Sequence, residues 1–196
     1  MDVYYLESNF NKRKISIKKY KDSIYNVKYE NKTFLIKPLM LFTNSSASLQ
    51  NIYKIRININ LSNAEHKNFK ILINKLYKVL ESYIEDEEAL DICETVNPIA
   101  QSNILSNTDV LFLNINKNTI LLDYESNQEL NKEILINKAF DIYPIINAPG
   151  INISNVNNNA YINFSLRKAY IKIINNKHED NIFIDKKELD NIFSNA

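Results

Sequence analysis

One glycine, Gly150, stands in a chain of 196 residues. A glycine-rich loop cradling a phosphate is thereby excluded, because such loops need several residues without a Cβ to let backbone meet anion. Left-handed turn positions must be filled otherwise. Asparagine tolerates them best after glycine, and there are 32 asparagines to do so. Asn, Ile and Lys have A/T-rich codons, so their excess points to an A/T-rich genome.

One cysteine, Cys93, excludes an internal disulfide and suits a reducing compartment; it is expected to be a small buried hydrophobe. The two histidines, His66 and His178, lie far apart in polar surroundings. No serine sits in a glycine elbow and no zinc-ligand spacing exists, so neither a nucleophilic triad nor a metal or cofactor site is expected. No apolar run approaches the roughly 20 residues that span a bilayer, so no membrane partner is expected. Residues 1–5 show no basic segment leading into an apolar one, so no secretory signal is expected.

Net charge is also nearly absent, at +1, but the total hides a division. Residues 1–78 carry 15 Lys+Arg against 5 Asp+Glu, and residues 79–196 carry 9 against 18. A basic half suits an anionic partner, and the acidic half is expected to face elsewhere or to meet a neighbour's basic half.

The periodicities predict a β-rich α+β chain. Residues 14–20 and 23–29 alternate as two strands around Asp22-Ser23, and a third short strand ends at Lys37-Pro38. Residues 43–51 have the composition of a polar loop. In residues 53–61 every odd position is apolar and every even one polar, so Lys54 and Arg56 share the solvent face. Ser62-Asn63-Ala64-Glu65 matches a capping box, with Ser62 as N-cap. The helix it opens carries Phe69, Leu72, Ile73, Leu76, Leu80 and Tyr83 on one face and breaks near residue 85. Residues 86–95 suit a short second helix, 109–124 a hairpin and 128–140 another helix. Residues 151–156 read as a strand, and 160–174 as the longest strand-like segment. The order favours an antiparallel, partly open barrel of the oligonucleotide-binding type with a helix packed on it. Residues 1–175 are expected to form one domain, and 176–196 a short acidic amphipathic tail.

Basic and aromatic residues alternate along three strands. Lys12, Arg13, Lys14, Lys18 and Lys19 lead to Tyr20, with Tyr29 on the next strand. Tyr53 precedes Lys54 and Arg56, and Arg167 and Lys168 precede Tyr170. Cations for phosphates with ring faces for bases are what single-stranded nucleic acid requires. Lysines on a strand also guard an exposed edge against aggregation, which is the plainer role for Lys12–Lys21. The acids Glu85, Asp86, Glu87, Glu88, Asp91 and Glu94 read as a solvated face, since adjacent acids diverge on any regular backbone. Asp22, Glu30 and Lys32 loosely mimic an acid…acid-x-Lys nuclease pattern, but Glu30-Asn31-Lys32 falls at an expected turn.

The segment Tyr53–Ile57 running into the helix of Phe69, Leu72, Leu76 and Leu80 resembles the central strand–helix unit of the poxvirus single-stranded-DNA-binding phosphoprotein. Tyr161–Ile171, preceded by Tyr143-Pro144-Ile145, is similar to that family's C-terminal strand. The resemblance spans residues 33–174 and is thin between 85 and 140. It implies sequence-independent single-strand binding in DNA replication in the host cytoplasm, self-association, and Lys54, Arg56, Arg167 and Lys168 as phosphate contacts. The family's longer acidic tail is here reduced to a short one with Phe193 near its end.

Three functions follow as expectations. The first is a non-enzymatic protein for single-stranded DNA, with RNA as a possible substitute. The second is a homo-oligomeric assembly protein using complementary basic and acidic faces. The third, a carboxylate-metal nuclease, needs Glu30 to act in cleavage.

Overall fold

The computed structural model describes residues 4–21, 23–51, 53–86, 94–101, 107–154 and 156–174, without the side chains of Asn44 and Ser45. The expected tail at 176–196 lies outside them, as do Asp22, Glu87, Glu88, Asp91, Cys93 and His178. The first strands are β1 (Tyr4–Tyr5), β2 (Ile15–Lys21), β3 (Ile24–Tyr29), β4 (Phe34–Ile36), β5 (Phe42–Asn51) and β6 (Lys54–Asn60). The helix α1 (Ala64–Asp86) follows. Then come β7 (Glu94–Val96), β8 (Ile99–Gln101), β9 (Thr108–Asn114) and β10 (Ile120–Asp123). The last are β11 (Ala139–Asn147), β12 (Gly150–Ile153), β13 (Asn159–Asn163) and β14 (Leu166–Ile173).

The period-2 segment sets the frame. Ile55, Ile57 and Ile59 of β6 are fully buried, while Lys54, Arg56 and Asn58 point outward. β5 and β9 flank β6 antiparallel, with Arg56 opposite both Ser48 and Phe112. β11 continues the sheet beyond β5 and pairs with β14 on its other edge, and β10 adds to β14 in parallel. The sheet curls until the end of β9 meets the start of β14, where Asn114 bridges Ser165 and its amide donates to the Phe164 carbonyl at 2.9 Å. This is the partly open barrel. A second sheet, in the order β2-β3-β12-β13-β7, shares its core. One apolar cluster joins Val27 and Ile162 of this sheet to Ile55 and Phe140 of the barrel, and to Phe69, Ile73, Leu76 and Leu80 of α1. Each such side chain contributes about 1.5–3 kcal/mol on burial.

Several expectations are corrected. Residues 43–51 are not a loop: they belong to β5, held by β6 and β11 despite their small polar composition. The N-cap of α1 is Asn63, whose Oδ1 accepts from the amides of Glu65 (2.8 Å) and His66 (3.1 Å). The Ser62 hydroxyl instead accepts from Asn107 at 2.7 Å. β9 and β10 are strands but do not form a hairpin, since β9 pairs with β6 and β8 while β10 pairs with β14. Residues 128–140 hold only a 3-10 turn, Lys132–Leu135, before β11 begins. The long segment 160–174 is divided at Phe164-Ser165, its halves lying in different sheets. Residues 94 and 95, expected within a helix, belong to β7.

The asparagine-filled turns are present. Asn31, Asn107, Asn127, Asn137 and Asn158 all adopt positive φ, between 51° and 61°, and Glu30 joins them at 49°. Gly150 does not.

Candidate nucleic-acid interface

The curled sheet turns a row of cations and rings outward. On β6 and β9, the Lys54 ammonium lies 5.4 Å from the centre of the Phe112 ring, which is 39% exposed although it sits mid-strand. Arg56, opposite Phe112, is oriented by a 3.1 Å hydrogen bond from its Nε to Asn58 Oδ1. Tyr53, just before β6, is 67% exposed. It borders a shallow cleft with Lys117 and Lys132.

On β11 and β14 the same chemistry recurs. Tyr143 stands opposite Tyr170, their ring centroids 6.4 Å apart at a tilt of 55°. The Lys168 ammonium sits 4.5 Å from the Tyr170 ring centre. Both tyrosines line an open groove of about 500 Å³ together with Leu39, Met40, Leu41, Tyr124 and Asn127. Leu39 (78% exposed), Met40 (61%) and Tyr124 are lip residues in contact with water. Burying a base against such surface is favourable, and the tilted rings offer stacking faces. Arg167 is exposed at the irregularity where the β11–β14 register shifts between Ile145 and Ile146.

The remaining expected site residues lie elsewhere. Lys12, Arg13 and Lys14 form an exposed 3-10 turn, and Lys18, Lys19 and Tyr20 are on β2, the edge of the second sheet. The three basic strands therefore do not lie in one sheet: β6 and β14 belong to the barrel sheet and β2 to the second. Tyr29 is a core residue, 6% exposed, stacked on Tyr4 at 5.2 Å and edge-on to Phe10. Its position opposite Ile15 turns the ring inward, so no face is open to a base.

Glu30 sits in the left-handed β3–β4 turn and pairs with Lys14, whose ammonium holds the carboxyl below its usual range. No three of His, Cys, Asp or Glu gather as a metal site among the described residues. The acidic half does not simply face away. Glu125 reaches Lys172 at 3.4 Å, and Glu129 and Glu133 line the cleft beside Tyr53.

No protein-family model matches the sequence, and no curated protein resembles it closely. Solved structures do resemble it. The C-terminally truncated single-stranded DNA-binding protein from bacteriophage Enc34 aligns over 83% of this chain and 95% of its own, with 14% identity and a TM-score of 0.50. The single-stranded DNA binding protein gp2.5 encoded by bacteriophage T7 aligns over 73% of this chain and 88% of its own, with 11% identity and a TM-score of 0.51. The chain has their fold. At these identities the likeness is one of architecture, a curled β-barrel of the oligonucleotide-binding type. The side chains on it are this chain's own.

Phe112, Tyr143, Tyr124 and the Leu39–Leu41 wall were not legible as site residues. Phe112 carries no signal, since it lies within the apolar run Val110–Leu113, in which Val110 of the same parity is buried. Tyr143 carries none without its partner strand.

Proposed function

We propose that the chain binds single-stranded DNA without sequence preference, as a non-enzymatic replication protein of a large DNA virus acting in the host cytoplasm. The observation that carries this is the pairing of cations with open rings on the outer face of one curled sheet: Lys54 with Phe112, and Lys168 with Tyr170 beside Tyr143. In this function Lys54, Arg56, Lys168 and Arg167 neutralise phosphates, and Phe112, Tyr143, Tyr170 and Tyr53 stack bases. Stacking of this kind tolerates any sequence, because every base has a π-face. The names of the two phage proteins of like fold support the same activity, and so does the resemblance of Tyr53–Ile57 and Tyr161–Ile171 to the poxvirus phosphoprotein. Self-association along the strand is part of the proposal, with acidic segments meeting a neighbour's basic ones. No helix among the described residues is long and apolar enough to cross a membrane.

The test is fluorescence anisotropy of labelled oligo-dT, oligo-U and a duplex of equal length over a salt series. Tight binding to oligo-dT that is weaker on duplex and falls steeply with salt supports the proposal. Oligo-U binding as tightly would extend it to RNA. No binding at low salt, together with salt-sensitive self-association, would favour the assembly protein instead.

A further inference from the structure

The strongest positive patch outside the barrel face is β2. Among the described residues it is an edge strand, paired only with β3. Lys18, Lys19, Tyr20 and Lys21 are all exposed, Lys18 and Lys21 opposite Asn26 and Ile24 on the outer face and Lys19 opposite Tyr25 on the other. Among the described residues none of these three lysines meets a carboxylate. Tyr20 falls where the β2–β3 register skips from Lys19 to Lys21, so it is the extra residue of an irregularity that turns its ring outward. That ring is 64% exposed, and the Lys21 ammonium lies 5.7 Å from its centre. Edge protection accounts for the lysines but not for an exposed tyrosine among them. Lys12 and Arg13, exposed immediately before β2, extend the positive charge.

The patch points a different way from the barrel face. Tyr25, Val27 and Ile162 of the second sheet and Ile55, Ile57 and Phe140 of the barrel all face one shared core. The solvent faces of the two sheets therefore diverge from that core. We infer that β2 forms a second nucleic-acid contact, made by Lys18 and Lys21 of its outer face and the ring of Tyr20, with Lys19 adding charge from the opposite face of the exposed edge, so that one molecule holds two separate segments of single strand. This rests on the proposed single-strand binding and goes beyond it in the number of segments held.

The test uses the full chain and oligo-dT of about eight nucleotides, within the roughly 4–16 that one such fold takes. Donor- and acceptor-labelled copies are mixed at low salt. Native mass spectrometry counts oligonucleotides per chain, and energy transfer reports their co-occupancy. Two oligonucleotides per chain are expected, falling to one in the Lys18→Ala/Lys19→Ala/Lys21→Ala variant with loss of energy transfer. Tyr20→Ala should weaken the second binding event several-fold and spare the first. A chain that stops at one oligonucleotide, or a triple variant that still binds two, overturns the inference and leaves the barrel face intact. Binding of poly-glutamate at β2 with a single oligo-dT per chain would assign the patch to an acidic protein partner instead. If no oligonucleotide binds at all, single-strand binding itself fails along with it.

Discussion

The Lys168 ammonium donates to the Tyr170 hydroxyl at 2.8 Å and lies over the same ring. A side chain held this way has given up rotamer freedom before a ligand arrives, so stacking on it requires less new ordering. Tyr170→Ala should weaken oligo-dT binding by about 1–3 kcal/mol, whereas Tyr170→Phe keeps the stacking face and should lose less. Anisotropy titrations decide it. Equal losses in the two variants would assign the effect to the hydroxyl, and no loss in Ala would remove the ring from the interface.

Lys54 and Arg56 are charges on one strand face, and their contribution should appear in salt dependence. Each phosphate neutralised on a single strand contributes a slope of about −0.7 in log K against log salt. Replacing both by Ala should flatten the slope by more than one unit. An unchanged slope would place the phosphate track elsewhere on the molecule.

His66 gives a pH dependence of stability. It is buried edge-on to Phe42, which in turn packs on Phe69, and its Nδ1 accepts the Asn60 amide at 3.0 Å. Burial pushes its pKa below the ordinary 6.5. Because the folded value is the lower one, stability is complete above the unfolded value and declines as pH falls from there toward the folded value. The carboxyls of Glu30, Glu81 and Asp123, held low by Lys14, Lys78 and the Ser126 amide respectively, lose their contributions only at more acid pH. The Tm should therefore fall as the pH is taken down through the ordinary histidine range, and the fall should shrink in His66→Gln. A wild-type Tm that is flat over that window would show that His66 accepts a proton in place.

Gly150 should be dispensable. Its φ is not positive, and a Cβ there would meet only the Tyr25 carbonyl oxygen, at an ordinary 3.7 Å. Gly150→Ala removes freedom from the unfolded chain and should stabilise by about 0.4–1 kcal/mol. Thermal unfolding checks this, and a lowered Tm would mean that Asn26 and Asn163, its cross-strand partners, need the space.

Legibility in the sequence followed how local each signal was. The β6 alternation and the α1 stripe were readable because period and burial agree within one element. β5 was hidden because, after Phe42, Ala47 and Leu49 alone mark its inner side among serines, so its strand character comes from β6 and β11. The break at Phe164-Ser165 was hidden because an alternating pattern runs through it, although the chain changes sheets there. Lys54, Arg56, Lys168 and Tyr170 were readable as basic-aromatic pairs. Their relation to Phe112 and Tyr143 was not, because it depends on cross-strand register. Tyr29 read as exposed because it follows a lysine, and its packing on Tyr4 depends on the residues far upstream that fold over it.

The junction of Asn114 with Ser165 closes the barrel through one bridge rather than a ladder. Strands joined by ladders open together, whereas a single bridge can break alone. The barrel thus has a built-in line of local opening, where circumference can change while β9 and β14 each stay paired to their other neighbours. Amide hydrogen exchange should find Asn114, whose N–H is committed to that junction, less protected than Leu111 in the β6–β9 ladder. Equal protection at the two positions would show that the barrel wall behaves as one cooperative unit.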